Sequence, residues 1–195
     1  MCQAGDRPFR SITWTTSITR IEPNLIEIAG LPIGELVGRR SLPEAAHLLV
    51  ERAFPDGHRL RESERLSLQA AALPLPPVVL YENEGVPKAL ARYLLADEHI
   101  VRQPAGGPQG ECRKTLFCLG RMIRYVGAIL GREKACANPD RNEPFSHSLH
   151  RVFTGAPIVC ERRARMLEAM VVACIDHGFP APSTHACVLG AAVSS

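Results

Sequence analysis

At 195 residues, 46% hydrophobic and 22% charged, the chain has a globular composition with enough apolar material for one sizeable core. A net charge of +3 and an aromatic content of 5% argue against a nucleic-acid binder built on a basic surface or on base stacking. The longest apolar stretches, 70–80 and 188–193, fall short of the roughly 20 residues that span a bilayer, so no membrane segment is expected.

The first 13 residues are a poorly patterned lead-in. Ile18 then alternates with Thr19 and Arg20, and Leu25, Ile26 and Ile28 flank Glu27 beyond a Glu22-Pro23-Asn24 break. Two short β-type runs about such a break predict a hairpin. A lone pair of strands is marginal, so the hairpin is expected to rest on a larger body.

That body reads as helical. Ser41-Leu42-Pro43-Glu44 has the form of a capping box, with Ser41 accepting from the amide of residue 44 and Glu44 reaching back. Ala45, Ala46, Leu48, Leu49 and Ala53 keep one face apolar up to the Phe54-Pro55-Asp56-Gly57 stop. Further helices are expected over 62–73 and 87–96, followed by a Gly/Pro loop over 103–110.

Leu116, Leu119, Ile123, Val126 and Leu130 recur at spacings of three and four, with Arg113, Arg121 and Arg124 off the stripe and Gly131 at its end. Pro144 opens another helix, with Phe145, Leu149, Val152 and Phe153 assigned to one face. The last helix, over 160–176, is apolar nearly all round from Met166 to Ile175, which predicts a position at the centre of a bundle.

His177 follows Met166, Met170 and Ala173 at helical spacing, with Gly178 just past the expected helix end. A histidine in a last turn feels the negative end of the helix dipole, which favours its charged form. Ser183 can cap a following helix near Thr184, so an imidazole would face the positive end of that helix, a setting suited to a carboxylate. On spacing alone, His177 reads either as a satisfied core histidine or as part of an anion site.

The run from Arg165 to Gly178, with Asp176-His177 at its end and then Pro182-Ser183-Thr184, resembles the Leu-x-x-Asp-His-x-x-x-x-Ser-Thr segment of citrate synthases and citryl-CoA lyases. The front of the chain agrees in order. Ser41-Leu42-Pro43-Glu44 and the helix behind it resemble the family's opening helix, and Phe54-Pro55 stands where the family has Leu-Pro. The stretches 116–131 and 144–155 resemble its central helices.

The resemblance implies a mostly α fold, a citrate-synthase-like helical bundle with a small N-terminal β-hairpin. It divides the chain into a lead-in over 1–13, a helical large-domain portion over 14–175, and the start of a small domain over 176–195. It also implies oxaloacetate or citrate and acetyl-CoA or citryl-CoA as partners, acyl-CoA being a substrate with no metal or organic redox cofactor, and assembly as a homodimer. By the same carry-over His177 binds the polycarboxylate, with Ser183 and Thr184 at the start of the next helix as further substrate-binding positions.

Departures from the family pattern affect the chemistry. The family's Arg-Gly-Tyr-Asp is Ala29-Gly30-Leu31-Pro32, and the Gly-Pro-x-His-Gly motif that supplies a carbonyl-polarising histidine does not occur in the sequence. No catalytic residue is therefore assigned, and a truncated chain with little or no activity of its own is expected. The alternative is a non-catalytic paralogue that pairs with a full-length subunit.

Other residues read more plainly. The seven cysteines, with no Cys-x-x-Cys pair and no leader before Trp14, suggest reduced thiols in a cytoplasmic protein. Cys112 and Cys118 read as buried thiols, and Arg39 and Arg40 as a solvated helix end. His147 and His150, three apart, read as helix surface rather than a metal pair, because no third ligand is evident. Cys187 has no His-plus-Asp arrangement to activate it, although His185 is close in sequence.

Overall fold

A computed structural model describes residues 18–81, 84–103, 106–135 and 143–175. These form a mostly helical body with one small sheet. Strand β1 (Thr19–Glu22) pairs antiparallel with β2 (Leu25–Ile28), and β2 with the two-residue β3 (Leu31–Pro32). Asn24 and Ala29 take positive φ at the two reversals, and Gly30 follows at φ 84°. The hairpin rests on the helical body through Ile28, which is 1% exposed and joins Leu36 in the main core.

Seven α-helices follow among the described residues. The first, α1 (Leu42–Glu51), carries the expected capping box, with both Ser41 and Glu44 bonds made. A left-handed Arg52 ends it. Asp56 caps α2 (Gly57–Ala72) by accepting from the amides of His58 and Arg59. This helix starts five residues before the expected position because the aspartate satisfies orphan amides ahead of the apolar pattern.

Two shorter helices, α3 (Val86–Ala96) and α4 (Glu98–Val101), lead to α5 (Gly107–Ile129). The second half of the expected 103–110 loop is therefore helix. Pro108 sits in the first turn of α5, where its missing N–H costs nothing. Gly131 takes φ 64° just past the end of α5, as the sequence suggested.

The long α5 is the central element and packs against α1, α2, α3 and α6. At its crossing with α2, Gly120 lies so close that a Cβ would come within 2.0 Å of the Ser67 carbonyl oxygen. Ser67 Oγ bonds the carbonyl of Leu116 at 2.9 Å across the same contact.

Helix α6 (Phe145–Thr154), closed by a left-handed Gly155, buries Phe145, Leu149 and Val152 in the main core. Two expectations fail around it. Phe153 is 48% exposed, because one further residue turns it about 100° away from Val152. His150 is 1% exposed and so does not lie on the helix surface; α6 is covered by α1, α2, α5 and α7. Arg121, off the α5 stripe, is wholly buried because α5 is surrounded and its second face also meets protein.

The last helix, α7 (Glu161–Ala173), is not the centre of the bundle. It packs on α6 and α1 only from one side, burying Ala164 and Val172, while Met166 and Met170 are more than half exposed. The apolar face expected to continue to His177 is thus open in the described residues. No helix of the described residues is long and apolar enough to cross a membrane.

Candidate functional site

His177, Ser183 and Thr184 lie outside the described residues, as do Cys187 and His185. Helix α7 reaches Ala173, with Cys174 as its C-cap, three residues before His177 in the sequence. Its inner end is tied to the front of the chain, since the Glu168 carboxylate accepts the Leu42 amide at 2.9 Å. Burial, together with the nearby Glu64, Glu44 and Glu161 and against that amide bond, pushes the Glu168 carboxyl above its ordinary range.

The polar cluster with most chemical content lies elsewhere, where α1, α2 and the start of α5 meet. His47 and Glu51 are one turn apart on α1, so their side chains project from one face. That face meets Arg59 and Ser63 of α2 and Cys112 of α5. The His47 Nδ1 atom lies 3.1 Å from Glu51 Oε2 and 3.2 Å from Cys112 Sγ, and Nε2 lies 2.8 Å from Ser63 Oγ.

Arg59 clamps Glu51, one nitrogen reaching its two oxygens at 2.7 and 2.8 Å. A pocket of about 260 Å³ opens on the cluster, lined also by Glu62, Gln109 and Arg113. Burial would raise the Glu51 carboxyl, but Arg59 and His47 outweigh it and hold the group below its ordinary value. Burial, helped by Glu51 and opposed by Arg59, pushes the Cys112 thiol up to about 11.

Cys112 is therefore not an activated nucleophile. A Cys-His-carboxylate triad engages the thiol through one ring nitrogen and the carboxylate through the other, whereas here both meet Nδ1. The raised thiol points the same way. The reading of Cys112 as a buried thiol thus stands, but its neighbours were not foreseen. The i, i+4 spacing of His47 and Glu51 was available in the sequence; nothing there pairs them with a cysteine 65 positions away.

The two histidines at 147 and 150 have different surroundings. His147 meets Glu161 at 2.9 Å, while His150 points inward with its Nε2 lacking a hydrogen-bond partner among the described residues. Arg40 bonds Glu44 at 3.0 Å and stacks over Phe54 at 4.1 Å, as an exposed helix-end arginine can.

No curated protein matches the chain. The family described as citrate synthase, C-terminal domain, matches it over residues 10–195, nearly its whole length. A mostly helical body with a small N-terminal antiparallel sheet agrees with that match. The chain belongs to the citrate synthase family, whose general chemistry is acyl-CoA condensation.

Proposed function

We propose that this chain binds a small polycarboxylate, oxaloacetate or citrate, through His177 with help from Ser183 and Thr184, as part of a citrate synthase or citryl-CoA lyase type of reaction with acetyl-CoA or citryl-CoA. The observation that carries the reading is the family match over residues 10–195, which includes the Asp176-His177 and Ser183-Thr184 positions. Residues 1–195 supply the binding portion of the chemistry and little or no turnover, because no Gly-Pro-x-His-Gly motif occurs in them to polarise the carbonyl.

Calorimetric titration with oxaloacetate and with citrate tests the binding claim. Binding by the wild type, weakened at least tenfold in His177→Ala, is expected; equal affinity in the two proteins removes His177 from the site. A thiol-release assay with acetyl-CoA and oxaloacetate tests the second claim. Turnover well above the His177→Ala control would show that the chain supplies its own acid and base.

The exposed Met166 and Met170 of α7, with the exposed Ile158 just before it, favour assembly through this region, as a homodimer or, in a second reading, as a non-catalytic paralogue beside a full-length subunit. Sedimentation of the protein alone, and co-expression with a full-length citrate synthase subunit, separate the two. Hetero-oligomers with no ligand-induced rise in melting temperature would favour the paralogue.

A further inference from the structure

The three ligand-type atoms of His47, Glu51 and Cys112 lie within 4.8 Å of one another. Arg59 reaches the Glu51 carboxylate from one side, and among the described residues no cationic side chain stands between that carboxylate, the His47 ring and the Cys112 sulfur. Ser63 Oγ donates to the Arg59 carbonyl at 2.8 Å, so its lone pair receives the proton on His47 Nε2. In the neutral ring the Nδ1 lone pair is then left facing a carboxylate oxygen at 3.1 Å and a sulfur at 3.2 Å. Three electron-rich atoms converge on one point, and either a proton or a metal ion must sit among them.

We propose that His47 Nδ1, Glu51 Oε2 and Cys112 Sγ form a binding site for a borderline-soft divalent cation of the zinc class. Imidazole nitrogen, thiolate and carboxylate oxygen are together the donor set for such a cation, and a poor one for magnesium or calcium. With metal–ligand bonds of 2.0 to 2.3 Å, the edges of a tetrahedral site run to roughly 3.3–3.6 Å. The two separations from His47 Nδ1 are a few tenths of an ångström shorter, and the third, between Glu51 and Cys112, is no more than 4.8 Å, so side-chain rotations must bring the three ligands to the tetrahedral edges.

The surrounding groups are those a metal site needs. Ser63 orients the imidazole through its far nitrogen, and Arg59 orients the carboxylate. The cation replaces the proton of the Cys112 thiol, so two of its three ligands, Glu51 and Cys112, are anionic, with Arg59 also paired to the carboxylate. The adjoining pocket leaves a fourth coordination position for water or a small anion, beside Arg59 and Arg113. A site with three protein ligands and one open position differs from the closed four-ligand site of a purely structural zinc. It is separate in sequence from His177, Ser183 and Thr184, and its test does not depend on theirs.

The test is a titration of the purified chain with Co²⁺ alone, followed by Zn²⁺ competition. One equivalent of Co²⁺ is expected to give a thiolate-to-cobalt charge-transfer band and visible bands of four-coordinate intensity, all removed by one equivalent of Zn²⁺. Cys112→Ser abolishes the charge-transfer band, and His47→Ala weakens binding at least tenfold. Cys160→Ser and Cys174→Ser, which change exposed thiols, leave the spectrum unchanged.

Because Cys112 and His47 are buried, Glu51→Gln provides a milder variant of similar shape, expected to weaken Co²⁺ at least tenfold while keeping the metal-free circular dichroism spectrum. Absence of a charge-transfer band in the wild type overturns the site, as does a band that survives Cys112→Ser or is lost with Cys160→Ser. Unchanged Co²⁺ affinity in Glu51→Gln also overturns it.

Discussion

The Arg121 guanidinium meets the Asp97 carboxylate at 2.6 Å, and neither side chain has any exposure to solvent. Three more donors of Arg121 are used at the end of α2. They reach the carbonyls of Ala70 and Leu73 at 2.9 Å and of Pro74 at 2.8 Å. Asp97 also accepts from the Tyr125 hydroxyl and, at 2.9 Å, from the His99 amide. One buried ion pair thus ties α5 to the end of α2 and to the turn between α3 and α4, and Tyr93 stacks on Tyr125 beside it with ring centroids 5.1 Å apart.

Removing one partner leaves the other charge buried and uncompensated. Arg121→Met is expected to cost roughly 3–5 kcal/mol in urea unfolding. The double variant Arg121→Met, Asp97→Leu is expected to recover much of that loss. A double variant as unstable as the single one would mean that the carbonyl contacts of Arg121, not its charge, hold the junction.

The same pair makes stability pH-dependent on the acid side. Burial would raise the Asp97 carboxyl, but Tyr125, Arg121 and the His99 amide prevail and hold it below its ordinary value. The unfolded chain therefore binds more protons in this range. The contribution is present above the unfolded carboxyl value of about 3.9 and is lost as pH falls through the lower folded value. Acid titration of unfolding free energy in wild type and Asp97→Asn should show a shallower fall in the variant.

His150 gives a second pH effect, nearer neutrality. Burial first, then Arg163, Arg151 and His147, depress its pKa. The unfolded chain again binds the extra proton, so stability is fully present above the unfolded histidine value of about 6.5. It declines as pH drops toward the folded one. His150→Leu should flatten the stability profile just below pH 6.5, as read by thermal melting over a pH series. A profile unchanged by the substitution would mean that His150 is solvated.

Gly120 is required by the approach of α2. With Ser67 O only 2.0 Å from an added Cβ, and backbone rather than a flexible side chain in the way, Gly120→Ala must push the helices apart. A loss of roughly 1–3 kcal/mol is expected, despite the better helix propensity of alanine. Gly34→Ala, with no atom within 4 Å and no positive φ, is the control and should be nearly neutral.

The α1 cap offers a local test. Ser41→Ala removes the bond to the Glu44 amide and is expected to cost about 1 kcal/mol. Glu44→Ala removes the reciprocal bond to the Ser41 amide, so the two losses should be less than additive. Strict additivity would mean that the two bonds act independently.

What the sequence determined by itself was everything decided within a turn or two of chain. The Ser41–Glu44 box, the stop at Gly131, and the turn between β1 and β2 were all legible, because caps and reversals are made by neighbours. So was family membership, which rests on motifs in order along the chain. Tertiary structure decided which of two plausible faces meets protein. The arginine at 121 and the histidine at 150 look solvent-facing by spacing, and Met166 and Met170 look central by hydrophobicity; burial reverses all four. Periodicity reports the pattern around one helix axis but not how many helices surround it. For the same reason a histidine, a glutamate and a cysteine from α1 and α5 could be brought together only by the packing of those two helices.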